Sequence, residues 1–246
     1  MNGFRLILPA VLVAGLAYAQ DAPKPGEAPA VGKAKEILQK TLETYSGAKT
    51  YQSSWSFTIE RGTAKSVVSM EIKSKAPARL YFRVAPVNNQ KPAPGQEPVP
   101  DMLVVLDGKN AFFQNASVGI HYKVALPKNA QVSPLMFVPQ IPAAGQVELK
   151  EETAADGKAI HVLEAVTVDG SSTRMEILAD GFRIRRIVSE KMLGPIRETS
   201  TIAVEKETFN ADVSDREFSF KPPRASKEIP APAGTEALFG PPESQK

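Results

Sequence analysis

Apolar residues recur at every second position through much of this chain. That period of two restricts those runs to strands with one dry and one wet face. Trp55, Phe57 and Ile59 alternate with Ser56, Thr58 and Glu60. Val68, Met70 and Ile72 alternate with Ser69, Glu71 and Lys73, and Leu80, Phe82 and Val84 alternate with Arg79, Tyr81 and Arg83. Asp-Gly pairs begin at Asp107, Asp156, Asp169 and Asp180, each beside such a run. A tight turn of that composition joins neighbouring antiparallel strands. Residues 166–188, VTVDGSSTRMEILADGFRIRRIV, hold two of the pairs and predict three strands in succession, a meander. About eleven strands are expected between residues 52 and 220.

One predicted hairpin breaks the alternation. In LVVLDGKNAFFQ, residues 103–114, Leu103 to Leu106 are all apolar, and so are Ala111, Phe112 and Phe113. A strand with one wet face alternates, so both faces of this hairpin must be covered.

The remaining segments are read by composition and period. Residues 1–19, MNGFRLILPAVLVAGLAYA, combine an early Arg5, a short apolar run and Ala17-Tyr18-Ala19. This is the pattern of a secretory signal peptide cut after Ala19, which places the mature chain in the periplasm. Residues 20–30 read as a flexible leader rich in Ala, Pro and Gly. Ala34, Ile37, Leu38, Thr41, Leu42 and Tyr45 fall at helical spacing ahead of Gly47, so residues 33–46 are expected to form an amphipathic helix. Residues 86–100 form a Pro-rich loop. SPLMFVPQIP, residues 133–142, is apolar and broken by three prolines, and is read as a short helical lid. From Lys221 onward the chain is again rich in proline, and residues 230–246 are set off as a disordered tail.

The chemistry of catalysis is not visible. His121 and His161 are the only histidines and there is no cysteine, so no metal-ligand pattern is present. No nucleophile elbow, zinc-protease helix or phosphate loop occurs. Glu151 with Glu152, and Glu205 with Glu207, read as charges on wet strand faces. A formal net charge of +3 is too balanced to point to nucleic acid. No catalytic residue, metal site or cofactor is assigned.

A sheet of about eleven strands spaced ~4.8 Å apart is far wider than one helix of ~10 Å, so it must curl to bury its apolar face. The concave side would be lined by Trp55, Phe57, Ile59, Met70, Ile72, Leu80, Phe82 and Val84.

Three motifs follow the helix in order: SMEIKSKAPARLYFRV (69–84), LVVLDGKNAFFQ (103–114) and REFSFKPPRASKEI (216–229). With the exported N-terminus, they resemble the periplasmic lipoprotein-carrier superfamily (LolA/LolB-like), over residues 31–229. The resemblance implies a mainly β fold, an unclosed barrel of eleven antiparallel strands with helices as a lid, and a cavity for acyl chains. It assigns Leu80, Phe82 and Val84 to the cavity wall and Leu135, Met136 and Val138 to the lid. The carrier proper has an arginine before the proline of the first motif, which latches the lid; here that position is Ala76. The implied function is a non-enzymatic carrier or binding protein for the acyl chains of lipids or lipoproteins, a monomer in transient contact with membranes. An envelope sensor or protein-interaction module with an envelope protein partner is the alternative on the same fold.

Overall fold

The computed structural model describes residues 29–87, 101–134, 146–154, 156–167 and 170–235. Helix α1 (Pro29–Ser46) comes first. Its predicted stripe is buried at Ala34, Ile37, Thr41 and Tyr45, and Leu38 packs on the same core. The amide of Gly47 closes the helix by donating to the Glu43 carbonyl at 2.9 Å. A Cβ at this glycine would stand 3.0 Å from that oxygen, so close approach selects glycine here.

Two meanders follow. The first runs through β1 (Thr50–Arg61), β2 (Ala64–Lys75), β3 (Arg79–Pro86), β4 (Met102–Asp107), β5 (Asn110–Asn115) and β6 (Ile120–Ala125). The second comprises β7 (Gln146–Thr153), β8 (Ala159–Val166), β9 (Ser172–Leu178), β10 (Ile184–Leu193) and β11 (Ile196–Phe209). Pairing of β1 with β11 fuses them. A short strand β12 (Lys227–Glu228) adds in parallel to β6. The order is β12-β6-β5-β4-β3-β2-β1-β11-β10-β9-β8-β7, a mainly β fold in which the sheet curls without closing. The twelfth strand, against the eleven expected, comes from a Pro-rich stretch with no period of two to announce it.

The predicted hairpin 103–114 is β4–β5, but its turn does not have the two positive-φ residues that Asp107-Gly108 could supply to a two-residue turn. Gly108 alone has a positive φ, at 95°. Asp107 instead accepts from the amides of Lys109 and Asn110 at 2.8 and 2.7 Å through its side chain, which folds the turn around a carboxylate. Both faces are covered. Val104, Leu106, Ala111 and Phe113 join the main core. On the other face Val105 is buried and Phe112 stacks on Phe220 with ring centroids 5.0 Å apart. The cover there is the C-terminal arm. A 3-10 turn, Asp215–Phe218, lies on β3 and β4 with Phe218 buried. Arg79 and Lys75 hold the turn at Asp215, Lys75 at 2.7 Å. The arm continues along β6, where Lys227 and Ile229 donate to Gly119 and His121 at 2.8 and 2.9 Å.

The arm shields one edge of the sheet. The opposite edge, β7, presents exposed Glu148, Lys150, Glu151 and Glu152, charges that oppose edge-to-edge pairing. β6 and β7 stand near opposite ends of the strand order, and the segment that follows β6 is described as far as residue 134. Its described part bonds to the turns at one end, Leu126 to Lys109 at 2.8 Å and Val132 to Pro77 at 2.9 Å. We call this the lower end, and the end bearing the turns at Gly62 and Gly194 the upper end.

Candidate functional site

Cross-strand register places the predicted cavity residues on one face. Trp55 pairs with Met70, Met70 with Val84, and Val84 with Met102. A lower rung runs from Ile72 through Phe82, Val104 and Phe113 to Tyr122. The other half continues the surface from Phe57 through Ile202, Ile187, Met175 and Leu163 to Leu149. One core contains both Tyr122 and Leu163, from strands far apart in the order, as the curl requires.

Burial changes along the strands. Trp55, Met70, Ile72, Leu80 and Phe82 are buried. Phe57 and Ile59, nearer the upper end, and Val84, level with Met70, are only half-buried. The lower end is stopped by Leu126 and Val132, which pack against the core, and by α1. The helix is fixed across the second meander: Lys33 pairs with Glu151 on β7 at 2.6 Å, and the Thr44 hydroxyl donates to the Gly181 carbonyl at 3.2 Å. Leu135, Met136 and Val138, assigned to the lid, lie outside the described residues.

The latch position is also clear. The Ala76 amide donates to the Lys49 carbonyl at 2.9 Å. Arg79 and Arg83 project from the face opposite Leu80 and Phe82, toward Asp215 and Asp101. Both guanidiniums therefore lie off the concave side.

A polar cluster lies at the lower end of the apolar face, and it corrects the reading of Glu207 as a wet-face charge. Its side chain is only 7% exposed. The register between β1 and β11 shifts at Ser54/Trp55, so that Trp55 pairs with Val204 and Ser54 with Lys206. Glu205 is the extra residue of this bulge, and everything after it changes face. Glu205 stays outside, accepting from Ser56 at 2.7 Å, while Glu207 turns inward beside Phe209. Glu207 Oε2 accepts from the hydroxyls of Tyr45 at 3.1 Å and Tyr51 at 3.3 Å. Tyr45 in turn accepts from the Ile184 amide at 3.1 Å, and Tyr51 from the Trp55 indole at 3.3 Å. Tyr45, Tyr51 and Phe209 meet edge to face, with centroids 5.0 to 5.5 Å apart. Burial pushes both tyrosine hydroxyls up and keeps them neutral donors. Burial also raises Glu207, against the hydrogen bond from Tyr45, the charge of Arg183 and the hydrogen bond from Tyr51, which pull it down. The cluster joins α1, β1, β10 and β11 through one carboxylate. A signal for it was present: Ile202 and Val204 share a parity that Phe209 breaks.

Of the histidines, His121 Nδ1 lies 2.7 Å from the Ser226 hydroxyl and ties the arm to β6, and His161 stacks on Phe182.

No family model matches the chain, and no curated protein matches it. Among solved structures, an uncharacterised conserved protein from Thermus thermophilus is 16% identical with a TM-score of 0.48, over 81% of this chain and 99% of its own. A LolA superfamily protein from Nitrosomonas europaea is 15% identical with a TM-score of 0.34, over 76% of this chain and 97% of its own. The MucA/MucB complex of Pseudomonas aeruginosa aligns at 12% identity and a TM-score of 0.45, over 77% of this chain and 61% of that one. The neighbours thus include LolA superfamily proteins. The chain's own strand order forms an unclosed, mainly antiparallel sheet curled beside a helix.

Proposed function

We propose that this chain is a non-enzymatic periplasmic carrier or binding protein for acyl chains of lipids or lipoproteins, held against the concave face after removal of the signal peptide. One observation carries the reading. An apolar surface crosses both meanders, stopped at the lower end and left half-exposed at the upper end around Phe57, Ile59 and Val84. A flexible hydrocarbon matches such a surface, since burial of its methylenes contributes about 0.8 kcal/mol each without needing a directional partner. Trp55, Met70, Ile72, Leu80 and Phe82 form the wall behind it.

The test is the binding of a fluorescent fatty acid. Phe82 is deeply packed, and Phe82→Glu is expected to lose both binding and stability, because a charge would enter an apolar site. Val84→Glu acts at the half-exposed end and should keep the fold while weakening binding about tenfold or more. Unchanged affinity in a folded Val84→Glu protein places the ligand elsewhere.

A further inference from the structure

Among the described residues, the large apolar side chains left exposed are Val118 (51%), Val166 (56%), Met192 (57%), Leu193 (42%) and Ile196 (48%). All five stand at the upper end of the sheet. Val118 is in the turn between β5 and β6, and Val166 ends β8. The other three form the tip of the β10–β11 hairpin, Met192-Leu193-Gly194-Pro195-Ile196, where Gly194 turns the chain with φ 61°. The lower end has no counterpart among the described residues. Among the described residues, exposure of large apolar side chains is therefore confined to the end where Phe57, Ile59 and Val84 are also half-open.

We infer that the upper end docks on a lipid bilayer, led by the β10–β11 tip. Lys191 and Arg197 flank the apolar tip directly, and Arg61 and Lys65 stand on the neighbouring β1–β2 hairpin, Lys65 paired with Glu60 at 2.9 Å, so four cations face three carboxylates (Glu60, Glu190 and Glu198) here. Lys191 and Arg61 share the carboxylate of Glu198, Lys191 at 2.9 Å. The Arg197 side chain is 69% exposed, and its partner Glu190 is 3.8 Å away. Inserted apolar tips ringed by long cationic stems fit the two layers of a bilayer surface, with methylenes at acyl depth and ammonium or guanidinium groups at the phosphates. The exposed side chains sit on three separate turns rather than one continuous patch. The contiguous part is the tip itself, Met192, Leu193 and Ile196, whose depth and cationic flanks match the layering of a bilayer surface. The occupant is a membrane containing anionic phospholipid. Docked in this way, the half-exposed end of the concave face meets the surface that holds acyl chains. The reason for docking rests on the proposed acyl-chain function; the docking surface rests on the exposed side chains alone.

Flotation of the protein with vesicles of phosphatidylethanolamine and phosphatidylglycerol tests this. The wild type should float with the vesicles. The triple variant Met192→Ser/Leu193→Ser/Ile196→Ser should partition about tenfold less or weaker still, with melting temperature and fatty-acid binding in solution unchanged. Wild-type protein that stays with the soluble fraction, or a triple variant that floats equally well, overturns the inference. Leu193→Trp provides a readout independent of the triple variant's folding. Its added emission should shift to shorter wavelength with vesicles and be quenched by brominated acyl chains. Emission that is unchanged by vesicles and unquenched by brominated chains overturns the docking surface, including the case where the tip packs against protein instead. Failure of the acyl-chain reading is seen separately, in the Val84→Glu binding assay without vesicles.

Discussion

A carboxylate held under two tyrosine hydroxyls makes position 207 sensitive to pH. Glu207 has its folded-state titration raised by burial. A raised carboxylate favours the folded state below its ordinary range, and that contribution is lost as pH rises through the folded value. Wild-type protein should therefore lose stability across that interval in a way that Glu207→Gln does not, since Gln keeps an acceptor for Tyr45 and carries no charge. Melting temperatures of both proteins from pH 4 to pH 8 check this through their difference, because other acids such as Glu164 and Asp215 are shifted downward and slope the opposite way in both. Parallel curves would remove Glu207 from the account. The spacing of the two glutamates concealed this residue, and the parity of Phe209 was the one mark of it in the sequence. Glu205 and Glu207 are two apart and ought to share a face, and only the bulge at Glu205 separates them.

Between elements, the C-terminal arm and the β4–β5 hairpin complete each other. The unbroken apolar run of residues 103–106 announced that something covers the second face, but not what. The cover comes from more than a hundred residues downstream, in a stretch dominated by proline and charge, where periodicity carries no signal. Phe218→Ala removes a buried ring that this arrangement depends on, and should cost about 3–5 kcal/mol. Urea unfolding measures that loss. The same variant should free the edge of β6, so faster amide exchange at Gly119 to Val124 is expected alongside. Strands β1 and β2 needed no such information from elsewhere: their own alternation set both existence and side.

At the scale of the molecule, the antiparallel meanders and the single amphipathic helix were readable because they are local patterns. The joining of the two meanders was not, since β1 and β11 meet with no turn between them to mark the pair. The acyl-chain reading makes its prediction at this scale. Native mass spectrometry of protein purified from its own envelope should show a monomer carrying a lipid-sized additional mass; bare protein under conditions that preserve a known lipid complex would count against it.

The seam between β1 and β11 also governs how the chain reaches this state. Ser56 and Glu205 bond across it although they are 149 positions apart. Hairpin contacts within each meander close short loops, whereas the seam closes the longest one, with an entropic cost that grows by about 0.6 kcal/mol for each doubling of loop length. Topology of this kind slows folding. Trp55, Phe57, Ile202 and Val204 gain their partners across the seam only when the two halves meet, so each half formed alone would leave a wide apolar border open to other chains. The β1–β11 junction is thus the place where newly made protein is most exposed to misassembly.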